Sequence, residues 1–242
     1  MNKFNGYFIA IVILVTSFTS LSGCYKIGNC IKGNGQVVLE ERALKSFNRI
    51  VVNGSYEVNV LPGQTHRVVV DAESNLLDFI NTRVHGHSLV IESAHNRCLK
   101  NSVPIMVNVY TPLVDEIELN GSGLIIAHGL YLEELYVSVN GSGTVDLDVD
   151  VDFLSANLNG SGKIDITGIA TTTEFNITGS GSMYAYQLTQ SNCNANISGS
   201  GSMYVHVNRK LDAVISGSGT IYYRGNPEVS SSISGSGKLI KQ

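Results

Sequence analysis

The chain has 242 residues, including 25 Gly, only 4 Pro and no Trp, and its formal net charge is −4. Its apolar content is too high for a disordered protein, and its Lys and Arg residues are scattered rather than clustered, which excludes a nucleic-acid partner. Abundant β-branched residues and glycines predict many short strands joined by tight turns.

Residues 1–23 are typical of a bacterial lipoprotein signal peptide. Lys3 supplies a positive charge, and the apolar run from Tyr7 to Phe18 is shorter than the ~20 residues of a membrane span. The sequence Leu21-Ser22-Gly23-Cys24 resembles a lipobox, whose cysteine is acylated and becomes the new N-terminus. We therefore predict a palmitate-type lipid on Cys24, a tether over residues 24–35 and an anchor in the cell envelope, at the outer membrane. The alternative is an ordinary signal peptide with an unrelated cysteine.

Residues 36–110 are predicted to form an irregular β part that caps the N-terminal edge of a larger stack. One segment there alternates apolar and polar residues around a glycine, Ile50-x-Val52-x-Gly54-Ser55-Tyr56-x-Val58-x-Val60. Further alternating runs cover residues 68–70, 89–91 and 105–109, which predicts additional strands. The one helical turn is expected between Ser74 and Val84.

Residues 111–242 contain a regular repeat. Gly-Ser-Gly recurs every 18 to 20 residues, with its first glycine at Gly121, Gly141, Gly160, Gly179, Gly199, Gly217 and Gly235. On both sides of each triplet, apolar residues alternate with polar ones, which predicts two short strands per repeat, each with one buried face. One repeat cannot bury that face by itself, so successive repeats must stack. The sequence predicts an all-β fold, a β-helix or β-solenoid with glycine corners and with Asn and Ser ladders beside them.

The segment Phe47-x-x-Ile50-x-Val52-x-Gly54, the Leu89-x-Ile91 strand and the serial Gly-Ser-Gly repeats resemble the auto-transporter adhesin family, also called the head GIN domain family. The resemblance covers residues 36–240. It implies a β-helical fold and an exported protein that is often anchored by lipid.

Three cysteines remain besides Cys24. Cys193 lies in the repeat column that elsewhere holds Leu135, Leu154 and Leu211, so we predict a buried thiol. Cys30 and Cys98 fall in the irregular part, where they either form a disulfide or remain two thiols.

Two patterns raise the question of a metal site. His85-Gly86-His87, with His95 nearby, fits a hairpin turn better than a metal site, because no fixed further ligand follows. Asp146, Asp148, Asp150 and Asp152 alternate along one strand, and Asp165 is expected beside Asp146 in the next repeat. Asp146, Asp148 and Asp165 are a weak Ca²⁺ candidate, and the other interpretation is a solvated acidic face. We predict no metal and no cofactor.

An outward column of tyrosines is the most informative exposed pattern. Tyr184, Tyr204 and Tyr222 each lie three residues after a closing glycine, and Tyr186, His206 and Arg224 lie two residues further on. Such a column is either a binding platform for a glycan or protein ligand or a structural ladder favoured by β-propensity. We predict a non-enzymatic protein that serves binding, adhesion or scaffolding. The alternative is a polysaccharide-acting enzyme that uses the aspartates, a role disfavoured because no His, Lys or Arg is expected on their face.

Overall fold

The computed structural model of the protein describes residues 30–242, with Asn96 described by its backbone alone. The predicted signal peptide, Cys24 and most of the predicted tether lie outside the described residues. Within residues 30–242 the only helical segments are two short 3-10 turns, Leu77–Phe79 and Ala94–Asn96. No helix in this range is long and apolar enough to span a bilayer.

Short strands build the first part of the fold: β1 (Ile31–Lys32), β2 (Val37–Ala43), β3 (Arg49–Gly54), β4 (Glu57–Pro62), β5 (Arg67–Glu73), β6 (Ile80–His85), β7 (Ser88–Ser93), β8 (Leu99–Lys100) and β9 (Met106–Thr111). The regular part contains β10 (Glu116–Gly121), β11 (Leu124–Gly141), β12 (Thr144–Gly160), β13 (Lys163–Gly179), β14 (Ser182–Gly199), β15 (Ser202–Gly217), β16 (Thr220–Arg224), β17 (Glu228–Gly235) and β18 (Lys238–Lys241). A rung consists of the strand segment before a Gly-Ser-Gly corner and the segment after it.

The rungs stack in parallel and in the predicted register. The first glycine of each corner is the register partner of the first glycine in the next rung, from Gly121 to Gly235. The predicted inward columns are buried through the middle of the stack, and Phe175 is the largest side chain within them. The prediction of an all-β solenoid is therefore confirmed.

Each corner requires glycine for a steric reason. The Gly141 carbonyl accepts a hydrogen bond from the Ser161 N–H at 3.0 Å. Gly160 has φ +127°, and a Cβ atom on it would lie 2.3 Å from that same carbonyl oxygen. Glycine alone satisfies both the backbone angle and the close approach of the neighbouring rung.

Asparagine ladders run beside the corners, as the sequence predicts. The Asn140 Nδ2 group donates to Asn120 Oδ1 at 2.9 Å, and Asn159 donates to Asn140 at 3.0 Å. A second ladder two residues earlier joins Asn157, Asn176 and Asn196 at 3.0 and 2.9 Å. These bonds pair side-chain amides between rungs and reinforce the register.

The N-terminal strands close one end of the stack. Strands β3 and β4 form a rung below β10 and β11, and β7 and β9 form a further rung beneath it. Three further pairs are antiparallel: β6 pairs with β7, β5 pairs with β9, and β2 pairs with β5. The helical turn expected over residues 74–84 is shorter than predicted, because the alternating side chains of Ile80 and Thr82 face the core as part of β6.

Candidate functional site

One outward column, on the strand segment after each corner, changes from aspartate to tyrosine along the stack. Successive register partners in it are Asp146, Asp165, Tyr184, Tyr204 and Tyr222. These residues alternate with buried ones and therefore leave the same face of the solenoid. The structure thus brings the three tyrosines of the sequence pattern into one row, which we call the tyrosine ladder.

The rings of the ladder stack against one another. The centroids of Tyr184 and Tyr204 are 4.9 Å apart with an interplanar angle of 4°, and those of Tyr204 and Tyr222 are 4.8 Å apart at 6°. The Lys163 ammonium lies 5.0 Å from the Tyr184 centroid, within the range of a cation–π contact. Because the ring faces cover each other, the surface presents mainly ring edges and phenol hydroxyls.

Tyr186 was expected in one column with His206 and Arg224, but it does not lie in that column. A register irregularity after Ala185 places Thr189, not Tyr186, beside His206. The Tyr186 ring instead meets the Tyr204 ring edge-on, with centroids 5.4 Å apart and planes at 78°.

Arg224 extends this aromatic cluster. Its guanidinium lies 4.0 Å from the Tyr186 centroid, and His206 is its register partner in the preceding rung. Arg224 forms no ion pair with any carboxylate of residues 30–242. A positive charge that is not neutralised within this part of the chain therefore lies at the side of the ladder.

Two phenols of the cluster are harder to ionise than an ordinary tyrosine. Burial raises the pKa of Tyr204 and of Tyr186 above the usual tyrosine value, since desolvation disfavours the phenolate. The Tyr186 hydroxyl is also buried without a hydrogen-bond partner among the described residues. At neutral pH both groups are protonated and able to donate hydrogen bonds.

A row of hydroxyl side chains flanks the ladder. Lys163, Ser182, Ser202, Thr220 and Lys238 are successive register partners, two positions before the ladder column. They share its outward face. The ladder therefore lies between a Ser/Thr row with a lysine at each end and the side that carries His206 and Arg224. The spacing of the Gly-Ser-Gly repeats alone places Lys163 in this row, so its position is predictable from the sequence.

The aspartates on the preceding rungs have His and Lys partners, contrary to expectation. His128 Nε2 lies 3.2 Å from Asp146 Oδ1, and Lys163 Nζ lies 2.7 Å from Asp165 Oδ2. The hydrogen bond to Asp165 raises the pKa of Lys163. The expectation that no His, Lys or Arg shares this face is wrong, because the partners come from neighbouring positions on the same or an adjacent strand. Asp146 and Asp165 are register partners, as predicted.

Neither metal pattern forms a cluster of ligands in the described range. Asp148 accepts a hydrogen bond from the Thr167 hydroxyl at 3.2 Å, while Asp146 and Asp165 contact His128 and Lys163. In residues 30–242 no three His, Cys, Asp or Glu side chains are arranged to hold a metal ion. Gly86, with φ +59°, lies between β6 and β7 in the expected hairpin.

Cys193 lies where the repeat register predicts, inside the solenoid. It follows Thr173 and precedes Leu211 in the buried column. Burial raises the pKa of its thiol to about 12, so the thiol is protonated and unreactive at neutral pH. A buried polar contact lies beside it, in which the Thr173 hydroxyl donates to Gln190 Oε1. The alternation of apolar and polar residues does not predict this contact.

Cys30 and Cys98 both take part in disulfide bonding. Each immediately precedes one strand of the parallel pair β1 and β8, in which Ile31 is the register partner of Leu99. Their pairing with each other stays a prediction, which peptide mapping without reductant tests. Lipidation of Cys24, outside the described residues, also stays a prediction.

Comparison with known families identifies the chain. The family described as "Putative auto-transporter adhesin, head GIN domain" matches residues 46–227.

The chain belongs to this family. Membership confirms the resemblance stated from the sequence and indicates an extracellular or envelope-exposed protein. Comparison with curated proteins gave no match.

Solved structures similar to this head GIN protein share its fold. A putative lipid binding protein from Parabacteroides distasonis is 28% identical with a TM-score of 0.76, over 88% of this chain and 100% of that one. A putative adhesin from Bacteroides fragilis is 20% identical with a TM-score of 0.83, over 88% and 100%. A putative adhesin from Parabacteroides merdae is 23% identical with a TM-score of 0.71, over 89% and 100%.

Proposed function

We propose that this protein is a lipid-anchored, envelope-exposed binding protein that attaches to a glycan or protein ligand through the tyrosine ladder. The observation that carries the proposal is the row of phenol edges at Tyr184, Tyr204 and Tyr222, with Arg224 beside it. Relatives described as adhesins support a binding role.

The chemistry of the surface favours a hydroxyl-rich ligand. Ring faces are occupied by ring stacking, so a sugar ring has little open aromatic face on which to stack. Phenol hydroxyls and the flanking Ser182, Ser202 and Thr220 instead offer donors and acceptors at the ~4.8 Å spacing of strands. Arg224 adds a planar group suited to carboxylate or phosphate. An acidic glycan matches this arrangement best, and a protein ligand is the second candidate.

Replacing Tyr184, Tyr204 and Tyr222 together by Ser tests the proposal. Loss of three ring contacts, the two stacked pairs and the edge-on contact between Tyr186 and Tyr204, should lower the unfolding free energy by roughly 1.5–4.5 kcal/mol, at about 0.5–1.5 kcal/mol per aromatic pair. Binding should fall by far more than tenfold, because aromatic anchors often contribute about 2 kcal/mol or more each. A glycan array and cell adhesion with the purified full chain provide the binding measurement, and thermal melting provides the stability.

A matched control replaces an outward apolar residue on the strand segment before a corner, away from the ladder. Val214→Ser removes a side chain that is 47% exposed, and this variant should bind as the wild type does. Unchanged binding by the tyrosine variant, or the absence of any ligand for the wild type, would remove the ladder as a binding site.

The lipid anchor is tested separately. Cys24→Ala should abolish incorporation of a labelled fatty acid and release the protein from membranes, because the acyl-cysteine is the proposed anchor. Cys193→Ala is the control and should retain both properties. Membrane retention and labelling of Cys24→Ala at wild-type levels would show that the anchor is elsewhere.

The alternative of a polysaccharide-acting enzyme gains no support from the relatives, which are described as adhesins or as a lipid binding protein. His128 and Lys163 do bring partners to the aspartates. Each of these contacts has the geometry of a surface ion pair between partly exposed side chains. Such pairs help to keep the protein soluble and to align neighbouring strands. We therefore propose a non-catalytic role.

A further inference from the structure

A second exposed surface lies on another side of the first regular rung. Strand β11 contains a register irregularity between Ala127 and Leu130, where Gly129 has φ +71°. Beyond it the Tyr131 side chain is 80% exposed. β-Bulges are common next to binding sites because they redirect side chains outward.

The connection from β9 to β10 forms the opposite wall of this surface. It passes over the rung of β3 and β4 and places Leu113 at the surface, where it is 49% exposed. Two adjoining hollows of about 240 and 550 Å³ share Leu113, Tyr131 and Leu132 in their walls. We call this surface the Tyr131 groove.

Carboxylates line the larger hollow. Asp115, Glu133 and Glu134 contribute to its wall, and no Lys, Arg or His of residues 30–242 forms an ion pair with any of them. Their polar contacts are neutral: Asn48 donates to Asp115 at 2.8 Å, and the Tyr136 hydroxyl donates to Glu134 at 2.8 Å. The nearby Glu116, by contrast, is paired with Arg49 at 3.3 Å.

The groove therefore combines an open aromatic ring, exposed aliphatic surface and a concentration of negative charge that the described chain does not neutralise. A cation with an apolar stem satisfies all three features. An arginine of a bound peptide can lie over the Tyr131 ring and form charge-assisted hydrogen bonds with the carboxylates. An aliphatic residue next to that arginine in the peptide can then pack on Leu113. An acidic glycan, the ligand favoured for the tyrosine ladder, would be repelled here.

We propose that the Tyr131 groove binds an extended segment of a partner protein in which basic and aliphatic residues alternate. Recognition rests on charge complementarity with Asp115, Glu133 and Glu134 and on contact with Tyr131 and Leu113. This site is separate from the tyrosine ladder, and its failure leaves the proposed function of the ladder intact.

The test uses the purified full chain and a fluorescein-labelled hexapeptide of alternating Arg and Leu, with an alternating Glu and Leu peptide for comparison. Fluorescence anisotropy should show binding of the basic peptide alone. Glu133→Gln with Glu134→Gln, and separately Tyr131→Ala, should each weaken it about tenfold or more, since hot-spot groups typically contribute over about 1.4 kcal/mol.

The control removes two carboxylate charges from parts of the chain that do not line the groove, the first 3-10 turn and the last rung. Asp78→Asn with Glu228→Gln should change the affinity less than twofold, and all variants should melt as the wild type does because the altered side chains lie at the surface. Equal weakening by the control would overturn the proposal, since binding would then reflect net charge alone. Binding of neither peptide, or binding of a cationic glucosamine oligomer in place of the basic peptide, would also overturn it.

Discussion

Gly160→Ala is expected to destabilise the solenoid by roughly 2–6 kcal/mol, enough to prevent folding of a marginal domain, because backbone strain and overpacking each contribute about 1–3 kcal/mol. The new Cβ atom would lie 2.3 Å from the Gly141 carbonyl oxygen while φ remains at +127°. That oxygen is held by the hydrogen bond from Ser161, so neither rung can move away without breaking the corner. Urea denaturation followed by circular dichroism measures the effect.

Gly86→Ala separates backbone strain from collision. Gly86 also has a positive φ, +59°, but nothing lies within 4 Å of a Cβ atom placed there. This variant should therefore lose only about 1–2 kcal/mol, the left-handed backbone penalty. Equal losses in the two variants would contradict the stacked corner geometry.

Ile197→Asp is expected to abolish folding. Ile197 is 2% exposed and is the register partner of Ile177 below and Ile215 above. A carboxylate in this apolar column has no cation to pair with. The free energy of its desolvation exceeds the unfolding free energy of a typical domain. The variant should accumulate as insoluble protein, which fractionation of cell lysates measures.

Val214→Asp is the control, because it places the same charge on an outward position. Val214 is next to Ile215 in sequence but is 47% exposed. It should remain soluble and melt within a few degrees of the wild type. A soluble, cooperatively melting Ile197→Asp variant, or an insoluble Val214→Asp variant, would mean that the inward and outward faces have been exchanged.

The regular rungs were predictable because their rules are local. Each Gly-Ser-Gly triplet fixes a corner, and alternation then determines that Ile197 faces inward and that Tyr204 faces outward. Stacking at the strand spacing places Tyr184 and Tyr222 on either side of Tyr204 without any further information. The same reasoning placed Cys193 in the core.

Other features depend on breaks in that regularity. The irregularity after Ala185 folds Tyr186 onto Tyr204, and the one after Ala127 exposes Tyr131. Neither follows from period-two alternation, because a bulge changes which residues face outward. The order of the closing strands was beyond prediction for a different reason. The rung of β7 and β9 is added beneath an earlier rung, and no local pattern specifies such a reversal of order.

Ring orientation was also missed. Alternation predicts that tyrosines leave one face, but the choice between open platforms and mutually stacked rings depends on side-chain rotamers. Stacking at 4° and 6° leaves the phenol edges as the accessible groups. The rings should therefore stabilise the stack while the hydroxyls meet the ligand.

Replacing Tyr184, Tyr204 and Tyr222 together by Phe tests this division most directly. The phenylalanine rings keep the stacked contacts, so calorimetry should show a melting temperature close to that of the wild type. Affinity for the ligand found on the glycan array should fall about tenfold or more, since three hydrogen bonds at about 0.5–1.5 kcal/mol each are lost. Wild-type affinity with wild-type melting would contradict the account, because the hydroxyl edges of the ladder would then have no part in binding.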